Sequence, residues 1–127
     1  MAATPTTPRS ARLLVGLLAG SGALHFLRPA GFDAIVPRSL PGTRRGWTYA
    51  SGVAELAVAV AVAVPATRRR GALAAAGLFA AVFPANVKMA YDWRGRPAQQ
   101  RAAAYARLPL QAPLIGWALK VSRDARR

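Results

Sequence analysis

The sequence predicts an all-α fold: a four-helix transmembrane bundle, up-down-up-down, with a proline-containing interfacial loop between helices 1 and 2. Three observations carry the prediction. Four apolar segments divide the chain, basic clusters fall between them, and all connections but the first are short. Hydrophobic residues make up 54% of the 127, above the ~45–50% usual in soluble domains, while charged residues are only 17%. A net charge of +14 would suit a nucleic-acid partner if the cations formed one patch or stripe. They do not. Arg44–Arg45, Arg68–Arg70, Arg94/Arg96/Arg101 and Arg123–Arg127 flank the apolar runs, as basic residues bracket membrane spans. No nucleic-acid partner is expected.

Residues 1–10 are polar and proline-containing and read as a disordered tail. Residues 11–121 form a single domain, and 122–127 a basic C-terminal tail. The first span, Leu13 to Leu27, has 15 residues between Arg12 and Arg28. At the helical rise it covers roughly 22 Å, short of a ~30 Å hydrocarbon core unless the flanking arginines snorkel. Gly16 and Gly20 in it have GxxxG spacing, which suits close helix packing. Arg9 and Arg12 ahead of LLVGLLAGSGAL also resemble a secretory n-region and h-region, but His25 and Phe26 follow where small residues would mark cleavage.

The first connection, about Pro29 to Gly46, sets Phe, Ile, Val and Leu among prolines and so belongs at the interface or against the bundle. The second span runs from about Trp47 to Ala66. Its AVAVAVAV stretch has the period of a strand, yet both alternating residues are apolar and the segment is long, which favours a helix. The third, Gly71 to Val87, continues through Lys88 to Tyr91. The fourth, Ala102 to Leu119, is interrupted by Arg107, Pro109 and Pro113; membrane helices tolerate proline where neighbours re-satisfy the freed backbone. Trp47, Tyr91 and Trp93 read as interface anchors.

Between Arg45 and Arg68 the only residue charged at neutral pH is Glu55. In an up-down-up-down order, depths follow from the helical rise: His25 ~5 Å, Glu55 ~12 Å, Asn86 ~8 Å, Arg107 ~8 Å and Gln111 ~14 Å from one membrane face. All five fall in one leaflet's half of the bundle. Ser21/His25, Ser51/Glu55 and Arg107/Gln111 are i,i+4 pairs, each on one helix face. A lone charge at mid-span costs ~2.5–3.5 kcal/mol on insertion scales, so inward pairing is expected, with Glu55–Arg107 the obvious ion pair. Two alternatives stay open. Glu55 serves either a ligand or the packing of the bundle, and Arg107 either pairs or snorkels.

With no cysteine, thiol relays, disulfides, zinc–cysteine sites and iron–sulfur clusters are excluded. A single histidine argues against a metal site. No catalytic motif is present: no GxSxG, HExxH, phosphate-cradling glycine loop or paired carboxylates. No particular cofactor is implied.

The segments HFLRPAGFDAIVPRSLPG, SGVAELAVAVAVAVPATRRRGA, VFPANVKMAYDW and RLPLQAPLIGWAL resemble the DoxX-like family of small bacterial four-helix membrane proteins. The resemblance covers roughly residues 20–119. It rests on His25, Phe26 and Pro29; Pro37, Leu40 and Pro41; Ser51, Gly52 and Glu55; Pro84 and Asn86; and Arg107, Pro109 and Gln111. The resemblance implies a multi-pass protein of the bacterial inner membrane, in a family whose namesake is a subunit of a thiosulfate:quinone oxidoreductase. The missing cysteines argue against the disulfide chemistry of thiol-redox branches.

The functional expectation is a polar cluster that binds a small lipophilic ligand, quinone-like or lipid, or a membrane-protein partner, with a homo-oligomer as one such arrangement. The alternatives are a structural or assembly subunit of a membrane redox complex, with the cluster a packing pin, and a redox subunit relying on a partner's cofactor. Nine basic residues fall on each side of the bundle; setting Arg107 aside as buried leaves nine against eight, favouring cytoplasmic termini.

Overall fold

The computed structural model describes residues 7–36 and 40–125, and among these it is all-helical. Pro37 lies outside the described residues. In chain order the elements are α1 (Arg9–Leu27), α2 (Pro29–Asp33), α3 (Arg44–Ala63), a 3₁₀ turn (Pro65–Thr67), α4 (Arg68–Asp92) and α5 (Ala98–Asp124). α1, α3 and α4 with its preceding turn are long and apolar enough to cross a membrane. α5, at 27 residues, is long enough but is not among the helices apolar enough to do so.

The helices outrun the apolar segments. α1 takes in Arg9 and Ser10, since Pro8 supplies the first carbonyl, bonded by Arg12 N–H at 3.0 Å. α5 likewise runs to Asp124, three residues past 121, where Lys120 and Asp124 pair at i,i+4. Pro84, Pro109 and Pro113 all lie inside helices. α3 begins after Gly42, whose φ of +83° only glycine adopts without strain. Thr43 then caps it, its Oγ1 accepting Gly46 N–H at 3.0 Å, and Trp47 Nε1 donates to Pro41 O at 2.6 Å. At the other end Thr67 and Arg68 fold back on α3. Thr67 Oγ1 donates to Ala61 O, and buried Arg68 donates to Val62 O and Ala63 O, satisfying carbonyls that a helix end leaves open. Arg68 therefore does more than flank a span.

α1 packs along α3, α4 along α5, and α3 along α4, whereas α1 and α5 barely touch. Trp117 Nε1, donating to Ser10 Oγ at 2.8 Å, ties those two at one end. Glycines set the close approaches, but not those at GxxxG spacing. Gly16 and Gly20 have nothing within 4 Å of a built Cβ. At Gly52 a Cβ would lie 2.8 Å from His25 Cβ and 3.2 Å from Gly22 O, and at Gly22 one would lie 3.2 Å from Gly52 O. The backbones of α1 and α3 cross there.

Small residues fill the inside and large ones face out. Ala11, Ala59, Ala72, Ala75, Ala76 and Ala118 pack with Leu14, Leu18, Val62 and Phe79, and a second cluster holds Met89, Ala90 and Ala104. Outside stand Leu27 (75% exposed), Val60 (64%) and Leu110 (56%). Such inverted packing suits helices surrounded by lipid, where small interfaces bring backbones together. It is compatible with a membrane location.

Candidate functional site

The two apolar clusters are separated along α4 and α5 by Asn86 and Gln111, both buried. Pro84 has no N–H to offer the carbonyl four residues back and crowds it. One residue earlier, Phe79 O accepts Gln111 Nε2 at 3.2 Å, so the fourth helix is tied to the third at this kink-prone turn. On α1, the carbonyl of Ser21 can only accept, so the 2.7 Å contact from His25 Nδ1 shows that nitrogen to be protonated. Phe32 of α2 stacks on the same ring, centroids 3.7 Å apart. Glu55 Oε2 stands 3.5 Å from His25 Nδ1, close but not a hydrogen bond.

A cleft of about 220 Å³ opens between all four long helices; of the five predicted site residues Glu55, Asn86, Arg107 and Gln111 line it and His25 does not. Leu17, Leu18 and Ser21 line it from α1, Glu55 from α3, Phe79 and Asn86 from α4, and Arg107 and Gln111 from α5. Two acceptors at its wall, Glu55 Oε2 and Asn86 Oδ1, are buried without a hydrogen-bond donor among the described residues. Arg107 is exposed at the rim with Leu17 and Leu110. The expected Glu55–Arg107 ion pair does not form: the carboxylate's ionic neighbour is His25. The cause is the arrangement of the helices: α3, which carries Glu55, and α5, which carries Arg107, make no direct contact.

Of the other motif residues, Phe26 stacks on Tyr49 at 5.2 Å, Pro29 opens α2 at its first turn, and Ser51 is half-buried on α3. Sequence reasoning missed Asp33. It accepts Thr48 Oγ1 at 2.5 Å and Arg45 Nε at 2.9 Å, and these bonds hold its carboxyl below the usual range, the threonine contributing most. That pair docks α2 on α3 and carries Phe32 to His25. Gly22 was missed as well; its only signal was a small residue one turn before a histidine. No group of three metal-ligating side chains occurs among the described residues.

A family model, the domain of unknown function DUF8561, matches residues 14–122. The chain belongs to the DUF8561 family. The match takes in every wall of the cleft and, Ala11 apart, both apolar clusters, so the DUF8561 domain covers nearly the whole helical unit. No curated protein and no solved structure matches this DUF8561 member.

Proposed function

We propose that the chain is a four-span, up-down-up-down protein of the bacterial inner membrane whose polar cleft binds the headgroup of a small lipophilic ligand. The observation that carries this reading is the pair of buried acceptors, Glu55 Oε2 and Asn86 Oδ1, at the wall of an open cleft. A buried acceptor left without a donor costs about 1–3 kcal/mol, and a bound headgroup would recover it. His25 Nδ1 and Gln111 Nε2 are engaged with Ser21 O and Phe79 O, while Ser21 and Arg107 line the same cleft without donating to either atom. What these two oxygens lack is a donor, which favours a hydroxyl-bearing ligand, the quinol rather than the quinone side of a quinone-like pair. Arg107 at the rim then faces the ligand's remaining oxygen. The motif resemblance to the DoxX-like family supports a redox-associated setting.

A second reading, an assembly subunit in which the cluster only pins the helices, is favoured by the Gln111–Phe79 bond across α4 and α5. Glu55→Gln and Arg107→Leu separate the two. A site predicts folded variants that no longer carry a co-purifying lipophile by mass spectrometry; a pin predicts lost expression and folding. Wild-type protein extracted gently and found free of any such lipophile sinks the ligand reading. Termini are placed in the cytoplasm on the positive-inside rule, opening the cleft toward the outer leaflet. A periplasm-active reporter fused after Arg127 would reverse that placement.

A further inference from the structure

A second cavity, of about 350 Å³, lies at the end of the molecule where α2 closes, α3 begins and α4 ends. It is built differently from the polar cleft. Its apolar side is Ile35, Met89 and Trp93, which pack together. Around these stand three cations, Arg44, Lys88 and Arg96, and one carboxylate, Asp92, leaving a net two positive charges. Lys88 is committed to Asp92 at 2.6 Å. Arg96 is held in place, its guanidinium 4.3 Å over the Trp93 ring and 3.4 Å from Gln100 Oε1, and it forms no ion pair among the described residues. Arg44 makes no ion pair or hydrogen bond among the described residues; Asp33, the acid nearest it in charge effect, already accepts from Thr48 and Arg45.

Two arginines at the edge of an apolar recess, one of them stacked on Trp93, match one chemistry. Guanidinium groups bind phosphate oxygens through paired N–H donors, and the recess beneath accepts hydrocarbon. The surrounding Trp47, Tyr91 and Trp93 are aromatic residues of the kind that sit at headgroup level. We propose that this pocket holds the phosphate of an anionic phospholipid between Arg44 and Arg96, with the start of its acyl chains against Ile35, Met89 and Trp93. The site rests on the membrane reading but not on the ligand of the polar cleft, from which it is separate in lining and in charge.

The test uses full-length protein extracted from membranes, which already fixes the membrane reading, and offers it equal amounts of phosphatidylglycerol and phosphatidylcholine. Lipid adducts are counted by native mass spectrometry. Wild type is expected to retain phosphatidylglycerol preferentially. Arg44→Gln with Arg96→Gln is expected to lose up to about thirtyfold of that preference, from the worth of two surface cations near anionic lipid. Arg69→Gln with Arg70→Gln removes the same charge at the other end of the molecule and should lose far less. All four side chains are exposed, so folding should survive, and circular dichroism checks it. An undiminished preference in the Arg44/Arg96 variant overturns the proposal, as does an equal loss in the Arg69/Arg70 variant. An excess of inorganic phosphate should leave the adducts in place; if it displaces them, the pocket belongs to a soluble phosphate ester and the lipid assignment falls.

Discussion

Replacing Gly52 by alanine tests the helix crossing that brings His25 to Glu55. The added Cβ would stand 2.7 Å from Phe26 Cε2, 2.8 Å from His25 Cβ and 3.2 Å from Gly22 O. The phenylalanine ring can swing aside, but a Cβ and a backbone carbonyl cannot. Ordinary carbon contacts begin near ~3.5–4.0 Å, so α1 and α3 must part by about 1 Å. Overpacking of this kind costs about 1–3 kcal/mol, offset by up to about 1 kcal/mol from alanine's better helix propensity. The net expectation is a loss of about 1–2 kcal/mol. Gly16→Ala is the internal control, because its Cβ meets nothing and only the propensity gain remains. Reversible unfolding in mixed micelles, titrated with dodecyl sulfate and followed by tryptophan fluorescence, reads both. A Gly52→Ala midpoint at or above wild type, or one equal to that of Gly16→Ala, would refute the crossing.

Two other perturbations address the ends of α3. Arg68→Met keeps the length of the buried side chain but removes its bonds to Val62 O and Ala63 O. Losing hydrogen bonds from a charged donor should cost about 2 kcal/mol in the same titration, and an unchanged midpoint would show the carbonyls to be satisfied without it. At the opposite end, Asp33 is held below the usual aspartate range by Thr48 and Arg45, so its ionised form stabilises the docking of α2. That contribution is complete above the usual range and is lost as pH falls through the lowered value. Hydrogen exchange over residues 29–34 should therefore rise only in strong acid, while Asp33→Asn should exchange fast already at neutral pH; equal protection in both proteins contradicts the dock.

The long helices were legible in the sequence because each carries a long, mostly apolar run between basic clusters, even where Glu55 or Arg107 and two prolines break it. The grouping of the polar residues was legible in part: the helical rise set five at similar heights, and Glu55, Asn86, Arg107 and Gln111 line one cleft, with His25 outside its lining. Depth, however, says nothing about direction around the bundle. Arg107 and Glu55 line one cleft from α5 and α3, helices that do not touch, and Glu55 meets His25 of α1 instead. Motif spacing misled for a related reason. Gly16 and Gly20 have the right separation on the wrong face, while Gly22 and Gly52 meet across two helices that no single-helix pattern connects. Asp33 escaped notice because an acid among prolines reads as a loop residue until Thr48, fifteen positions later, reaches back to it.

The alanine stripe of α4 bears on how the protein is made. Ala72, Ala75 and Ala76 are buried, and Ala118 of α5 joins the cluster they belong to. On the four-span reading α5 leaves the ribosome last and is the segment least able to enter lipid by itself, carrying Arg107 and two prolines. The three helices before it can insert on their own hydrophobicity. Helix α4 then offers a shallow, preformed track on which the last segment is received. Lengthening the side chains of that track should strand α5 outside the bilayer while leaving the first three helices in place.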